Sequence, residues 1–210
     1  TNFVKVSSLP LRRTSSNHSL PDSVASGCIV KYQGRKFILS VSHATGTGTG
    51  GNWAAEIKHE KGNGTKLYKF EATYFLIEYN ITTNEHREVD FSYSEVPSDF
   101  ESWFQVLDRS GSVLSEERRE EFNFAPHEPS LEESYAFAGQ IGTEIHYPNL
   151  LVSDMAVYEG LRYERSDGGY HVFRLPTPHP GHAAFQGCSG APIIDSQQRV
   201  VGLVCSGNIE

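Results

Sequence analysis

The chain has 210 residues, of which 38% are hydrophobic and 21% charged, a composition that supports a packed core and excludes wholesale disorder. Its formal net charge is −8 and it contains no block of Lys and Arg, so nucleic acid is not an expected partner. No apolar run approaches the roughly 18 residues that a membrane-spanning helix needs, so a membrane partner is not expected either.

Residues 1–24 are polar, rich in serine and without a hydrophobic period, which predicts an N-terminal arm. Two β-rich runs at 27–32 and 36–41 flank a short glycine turn, which is the pattern of a β-hairpin. Aromatic and β-branched residues then predict strands at 67–79 and 89–93.

The composition changes after residue 97, where acidic residues and prolines interrupt the apolar pattern. We interpret residues 108–130 as a linker, with a short helix at 115–121. Short strands resume beyond it, at 135–138, 150–158, 170–175, 192–194 and 200–205. Two groups of short strands divided by a linker predict an all-β fold of two barrels, at 25–107 and 131–210.

The strongest chemical signal lies at residues 187–192, Gly-Cys-Ser-Gly-Ala-Pro, which two isoleucines follow. A serine nucleophile needs a tight turn that presents its Oγ, and nearby backbone N–H groups that stabilise an oxyanion. Gly187 and Gly190 permit backbone conformations that a side chain would obstruct, so Ser189 is a candidate nucleophile. The same residue types also form ordinary β-turns, which is the alternative interpretation.

Two further candidates precede this motif in the chain. His43 follows an apolar strand directly and lies between small residues, where a base would be held rigidly beside a cleft. Asp90 opens a short alternating strand, and Asp99 and Asp108 lie downstream as alternative acids. Taken singly, neither the histidine nor the aspartate is distinctive, because a lone histidine at a strand end is usually structural.

The order His43, Asp90, Ser189, with the motifs Ser-His-Ala, Asp-Phe-Ser and Gly-Cys-Ser-Gly-Ala-Pro, resembles the trypsin/chymotrypsin superfamily of serine proteases over residues 25–207. The resemblance implies two six-stranded antiparallel β-barrels with the active site between them. It implies a serine endopeptidase in which Ser189 attacks the peptide carbonyl, His43 is the general base and Asp90 fixes the histidine tautomer. The N–H groups of Gly187 and Ser189 would form the oxyanion hole, without cofactor or metal.

Some positions depart from the secreted members of that superfamily. Those members place a cysteine after the histidine, where this chain has Ala44, so Cys28 lacks the mate that the resemblance would give it. They place an aspartate before the serine, where this chain has Cys188, which argues against activation by a newly cut N-terminus. The chain is more similar to disulfide-free bacterial and HtrA-type peptidases, so we expect free thiols and a cytoplasmic location. Because the sequence stops soon after the last predicted strand, we expect the second barrel to be incomplete.

The resemblance also implies where substrate binds. The last strand would pair with the peptide, which makes Cys205, Ser206 and Gly207 candidate contacts. Ala183, six residues before the serine, would lie at the base of the specificity pocket beside Ala184. Neither side chain is charged, and burying a cation against them would be costly. We therefore expect a small or medium apolar residue before the cleaved bond, and not Lys or Arg.

Other interpretations compete with this one. His179 and His182 could ligate a metal, the Gly-rich loop 46–51 could hold a phosphate, and Cys188 could itself be a nucleophile, but each lacks the remainder of the motif it would need. The principal alternative is a protease-fold module that does not cleave and instead binds a peptide or protein. The expected partners are a polypeptide substrate and a regulatory protein.

Overall fold

Strands dominate the computed structural model, which describes residues 2–14, 21–46, 52–58, 65–108, 110, 112–125, 127–146, 150–178 and 181–205. The two α-helices within these ranges are short, α1 over Asn2–Ser7 and α2 over Ser42–Thr45, and no helix there has the length and apolar character that a membrane crossing requires. In chain order the strands are β1 (Leu9–Thr14), β2 (Pro21–Tyr32), β3 (Arg35–Ser40), β4 (Asn52–Lys58), β5 (Thr65–Lys69), β6 (Tyr74–Asn80), β7 (Glu85–Val96), β8 (Trp103–Leu107), β9 (Val113–Arg118), β10 (Glu121–Asn123), β11 (Tyr135–His146), β12 (Leu150–Asp167), β13 (Tyr170–Arg174), β14 (Pro192–Ile194) and β15 (Val200–Leu203).

Eight strands form the first sheet, in the order β5-β4-β1-β2-β3-β7-β6, with β10 paired to β2. The pairings are antiparallel except for that of β10 with β2, which is parallel. Along β3 every second side chain is buried, as the two-residue period of a strand requires when one face covers a core. The buried apolar side chains of this core are Leu9, Leu11, Ala25, Ile29, Ile38, Trp53, Ala55, Val96 and Phe100.

The prediction of an N-terminal arm is wrong for the described part of residues 1–24. Residues 9–14 form β1, which pairs with both β2 and β4 inside the first sheet. Leu9 is buried in the core. Arg12 is buried as well, and its Nε donates to Glu56 Oε1 at 2.5 Å. A charged side chain tolerates burial when a carboxylate pairs with it, so a polar composition concealed an interior strand.

The segment predicted as a linker contains two strands. Residues 113–118, predicted in part as a helix, pair with β8 in a two-stranded hairpin whose exposed side chains carry the mixed charges. β10 is fixed to the first sheet through Glu121, whose carboxylate lies within ion-pairing distance of Lys31, Lys36 and Arg118. Burial raises the pKa of Glu121, but the hydrogen bonds from these three cations outweigh it and lower the pKa to about 2.

The second sheet has five strands in the order β13-β12-β11-β14-β15, all of them antiparallel. Its core is built around the buried side chains of Tyr135, Phe137 and Leu161. The two sheets meet where β2 contacts β11. The prediction of an all-β fold with antiparallel sheets in two groups is confirmed, although the described strands number eight and five instead of six and six. The division of the chain at residues 107 and 130 stays a prediction.

Candidate active site

His43 lies on α2, the single helical turn that follows β3. Two bonds to the carbonyl of Val41 fasten the turn: the N–H and the Oγ1 hydroxyl of Thr45 lie 3.1 and 3.0 Å from that oxygen. The Thr45 hydroxyl also lies 2.7 Å from Ser92 Oγ on β7, in a buried contact. The backbone of His43 is thus held against the strand that carries Asp90, while its imidazole remains 46% exposed.

Asp90 on β7 makes three hydrogen bonds to the turn that carries the histidine. Its Oδ2 lies 2.7 Å from His43 Nδ1, and its Oδ1 accepts from the His43 backbone N–H at 2.9 Å and from Ser42 Oγ at 3.0 Å. Burial raises the pKa of this carboxyl, but the hydrogen bonds and charge of His43 and the bond from Ser42 lower it below its ordinary value. An ionised carboxylate only accepts hydrogen bonds, so Nδ1 of His43 carries its proton.

Ser189 stands on the opposite side of the imidazole from Asp90. Its Oγ lies 2.9 Å from His43 Nε2, the ring nitrogen that the Asp90 contact leaves free to accept a proton. The alternative acid Asp108 lies in the turn between β8 and β9, where its Oδ1 accepts from Ser110 N at 2.8 Å and Ser112 N at 2.9 Å. The structure thus brings together the three residues that the sequence singled out, in one hydrogen-bonded line.

The turn at residues 186–190 has the shape that the Gly-Cys-Ser-Gly pattern predicts. Gly187 and Gly190 have φ of +100° and +87°, a region that L side chains rarely adopt. A Cβ on Gly190 would lie 2.1 Å from the carbonyl oxygen of Ser26, so the turn approaches β2 too closely for any side chain. Within the described part of the chain, the N–H groups of Gly187 and Ser189 donate to no backbone or side-chain acceptor. Two free N–H groups beside a serine Oγ are what an oxyanion hole requires.

The backbone of Ser189 is held from both sheets. Its carbonyl accepts from the N–H of Ser26 on β2 at 2.9 Å. The N–H of Gly190, which belongs to the same peptide group, donates to the carbonyl of Val204 just beyond β15 at 2.7 Å. Neither Ser26 nor Ser42 was assigned a role from the sequence, because a serine in or beside an apolar strand carries no pattern of its own.

The predicted substrate-binding residues are only partly described. Ala183 and Ala184 lie in a short 3₁₀ helix over His182–Phe185. Ala184 is half-buried and Ala183 is exposed. Phe185 anchors this helix by stacking on Tyr158, with ring centroids 4.7 Å apart. The place of Ala183 and Ala184 at the base of a specificity pocket stays a prediction. Cys205 is half-buried, while Ser206 and Gly207 lie outside the described residues.

The described residues give little support to the competing interpretations. His179 and residues 47–51 of the Gly-rich loop lie outside them, as does the side chain of His182. Ligand atoms of His127, Glu133 and Asp195 lie within 4.8 Å of one another, in a geometry that could hold a metal ion. However, Asp195 is already engaged, since its Oδ2 accepts from Arg199 Nε at 2.6 Å and its Oδ1 accepts two backbone N–H groups. The Arg199 guanidinium therefore takes the place that a metal ion would have beside this carboxylate.

Cys188 does not have the properties of a nucleophile. Its side chain is buried against Gly139, where a Cβ would lie 2.7 Å from the Cys188 Sγ. Burial raises the pKa of Cys188 to about 12, whereas a nucleophilic cysteine needs a lowered pKa and an accessible thiolate. Of the two neighbouring residues, Ser189 is therefore the better candidate for a nucleophile.

The cysteines give a prediction about thiol reactivity. None of the three forms a disulfide; Cys28 and Cys188 are buried and Cys205 is half-buried. Because burial raises the pKa of Cys28 to about 12 as well, we expect the native protein to react at Cys205 alone with a thiol reagent such as DTNB. Denaturant without reductant should expose three thiols. A disulfide on Cys28, found by peptide mapping, would contradict the expectation.

No protein-family model matches the sequence, and no curated protein matches it. Among solved structures, the chain is similar to the crystal structure of tobacco vein mottling virus protease. The sequence identity is 12%, the similarity covers 99% of this chain and 74% of that chain, and the TM-score is 0.49. At that identity and score, the likeness by itself says nothing about the chemistry of this chain.

Proposed function

We propose that this chain is a serine endopeptidase, in which Ser189 is the nucleophile, His43 the general base and Asp90 the group that orients the base. The observation that supports it most is the hydrogen-bonded line through the imidazole. One ring nitrogen lies 2.7 Å from a carboxylate of lowered pKa and the other lies 2.9 Å from a serine hydroxyl. Nucleophile, base and orienting acid in this order are the arrangement of acyl-transfer enzymes.

The mechanism follows from these contacts. His43 Nε2 accepts the proton of Ser189 Oγ as that oxygen attacks the peptide carbonyl, and the imidazolium then donates the proton to the leaving amine. Asp90 holds the ring with Nδ1 protonated and stabilises the imidazolium by its charge. The unpartnered N–H groups of Gly187 and Ser189 are available to the oxyanion of the tetrahedral intermediate, and water then hydrolyses the acyl-enzyme.

The proposal extends to substrate preference and location. The described candidates for substrate contact, Ala183, Ala184 and Cys205, carry no carboxylate, which supports cleavage after an uncharged residue and not after Lys or Arg. Three cysteines outside disulfides support a reducing compartment such as the cytoplasm. The absence of disulfides among these cysteines also supports a closeness to disulfide-free, HtrA-type peptidases.

A fluorophosphonate probe tests the proposal, because it forms a covalent bond only with a serine that a neighbouring base activates. We expect one label per chain, located on Ser189 by mass spectrometry and absent from Ser189→Ala. The chain offers a matched control: Ser166 Oγ lies 2.9 Å from His171 Nδ1, nearly the same distance as in the candidate site. That pair bridges two strands of a hairpin, and Glu128 Oε2 lies 3.8 Å from the other ring nitrogen of His171, beyond hydrogen-bonding distance, so Ser166→Ala should label like the parent.

Two outcomes would count against an active enzyme. Labelling that persists in Ser189→Ala would move the nucleophile elsewhere. A parent chain that takes no label and cleaves no member of a random peptide library would instead favour the alternative of a protease-fold module that only binds a partner.

A further inference from the structure

The turn that carries Ser189 is held by a side chain from the other sheet. Ser26, on β2, is fully buried, and its hydroxyl donates to the carbonyl of Gly187 at 2.8 Å. The same hydroxyl accepts from the backbone N–H of Gln140 on β11 at 2.9 Å. Together with the bond from its own N–H to the Ser189 carbonyl, Ser26 therefore binds peptide groups on both sides of Cys188.

The packing around this hydroxyl leaves little room for the turn to move. A Cβ on Gly187 would lie 2.4 Å from the carbonyl oxygen of Gln140, and a Cβ on Gly139 would lie 2.7 Å from Cys188 Cα. The turn is thus pressed directly onto β11. Where the turn presents a carbonyl and β11 presents an N–H, the Ser26 hydroxyl satisfies both, because a hydroxyl can donate and accept at once.

This arrangement fixes the direction of the peptide groups of the turn. The Gly187 carbonyl that Ser26 binds belongs to the peptide group between Gly187 and Cys188. That group lies between the peptide group that carries the Gly187 N–H and the one that carries the Ser189 N–H. The carbonyl of Ser189 is held by the backbone N–H of Ser26, so the peptide group that carries the Ser189 N–H has a peptide group bound by Ser26 on each side. A buried polar group that loses its hydrogen-bond partner is costly, so these bonds strongly favour the observed conformation of the turn.

We infer that Ser26 is a positioning residue of the oxyanion hole. Its hydroxyl keeps the N–H groups of Gly187 and Ser189 directed at the developing oxyanion without touching the substrate itself. The inference rests on the proposed serine endopeptidase function. It adds that a residue of the first sheet, 161 positions before Gly187, helps to hold the turn of the second sheet in the conformation that catalysis needs.

Ser26→Ala tests this inference, with Ser94→Ala as the matched control. Ser94 is another buried serine of the first sheet, and its Oγ lies 3.0 Å from Thr73 Oγ1. Among the described residues, its hydroxyl has no hydrogen bond to the turn that carries Ser189. For a peptide substrate chosen from the library, we expect Ser26→Ala to lower kcat by roughly 10- to 100-fold with KM nearly unchanged. The loss should be smaller than the ~10²–10³ that removal of an oxyanion donor costs. Ser94→Ala should keep the kcat of the parent.

A second readout separates positioning from a general loss of structure. A peptide aldehyde forms a tetrahedral adduct whose oxygen occupies the oxyanion hole, whereas the matching peptide alcohol binds without such an adduct. We expect Ser26→Ala to weaken the aldehyde at least about 10-fold and the alcohol less than about twofold. A parent that takes no fluorophosphonate label would refute the proposed function itself. An active parent with an unchanged Ser26→Ala, or with equal losses for aldehyde and alcohol, would refute only the role of Ser26.

Discussion

Replacing Ser189 by Ala, or His43 by Ala, is expected to lower kcat on a peptide substrate by a factor on the order of 10⁶, and replacing both should cost little more than either alone. The physical reason is that the two side chains perform one step. The hydroxyl at 2.9 Å from Nε2 is a weak nucleophile until the imidazole takes its proton, and the imidazole has nothing to deprotonate once the hydroxyl is gone. Preparations of the three variants at equal concentrations of folded protein, assayed on one substrate beside the parent, measure the effect.

The non-additivity is the informative part of that experiment. If the double variant lost the product of the two single losses, the residues would act independently, and the line from Asp90 through His43 to Ser189 would not be a catalytic unit. Residual cleavage above the uncatalysed rate is expected in every variant, because the free N–H groups of the turn remain.

The second large effect is expected for Asp90→Asn, with a fall in kcat of about 10⁴. An amide at this position offers an N–H or a neutral oxygen to Nδ1 in place of a carboxylate, so the imidazole can adopt the tautomer with Nε2 protonated and unable to act as a base. The pKa of Asp90 is below its ordinary value, so the parent carboxylate is ionised at neutral pH. The kcat of parent and Asp90→Asn, measured on one substrate at neutral pH, checks the expectation.

A matched control for Asp90→Asn lies two residues earlier on the same strand. Glu88 is exposed and pairs across the hairpin with Ile77, so Glu88→Gln removes one carboxylate from β7 without touching the histidine. It should keep the kcat of the parent. Comparable losses in Glu88→Gln and Asp90→Asn would mean that the charge of the strand matters and the contact with His43 does not. Unfolding midpoints of both variants show whether either change acts through stability.

The hairpins and tight turns could be predicted from the sequence because they depend on residues that are neighbours in the chain. The two β-rich runs and the short turn between them predicted the hairpin of β2 and β3, and the glycines at 187 and 190 predicted the tight turn that the structure shows. Ser189 stands in a distinctive motif, whereas His43 and Asp90 were singled out only by their positions in the chain relative to it. Their order along the chain then resembled a known superfamily.

What the sequence concealed depends on partners distant in the chain. Ser26 and Ser42 are small polar residues within apolar runs, and nothing nearby indicates the carbonyl or carboxylate that each one binds. The polar segment around Arg12 was predicted as an arm, because the carboxylate that pairs with Arg12 belongs to Glu56, 44 positions later. The mixed charges of residues 115–118 suit an exposed strand as well as a helix. The segment forms a strand because it pairs with β8.

The placement of Ser26 has a consequence for how the protein gains activity while it folds. The contacts that assemble the site close very long loops: 146 residues separate His43 from Ser189 and 161 separate Ser26 from Gly187. Long-range closures of this kind form late, because their entropic cost must be met before the contacts can stabilise the chain. During refolding, strand content measured by circular dichroism should therefore return before the hydrolytic rate does. A newly made chain would cleave nothing until its first and last thirds had docked.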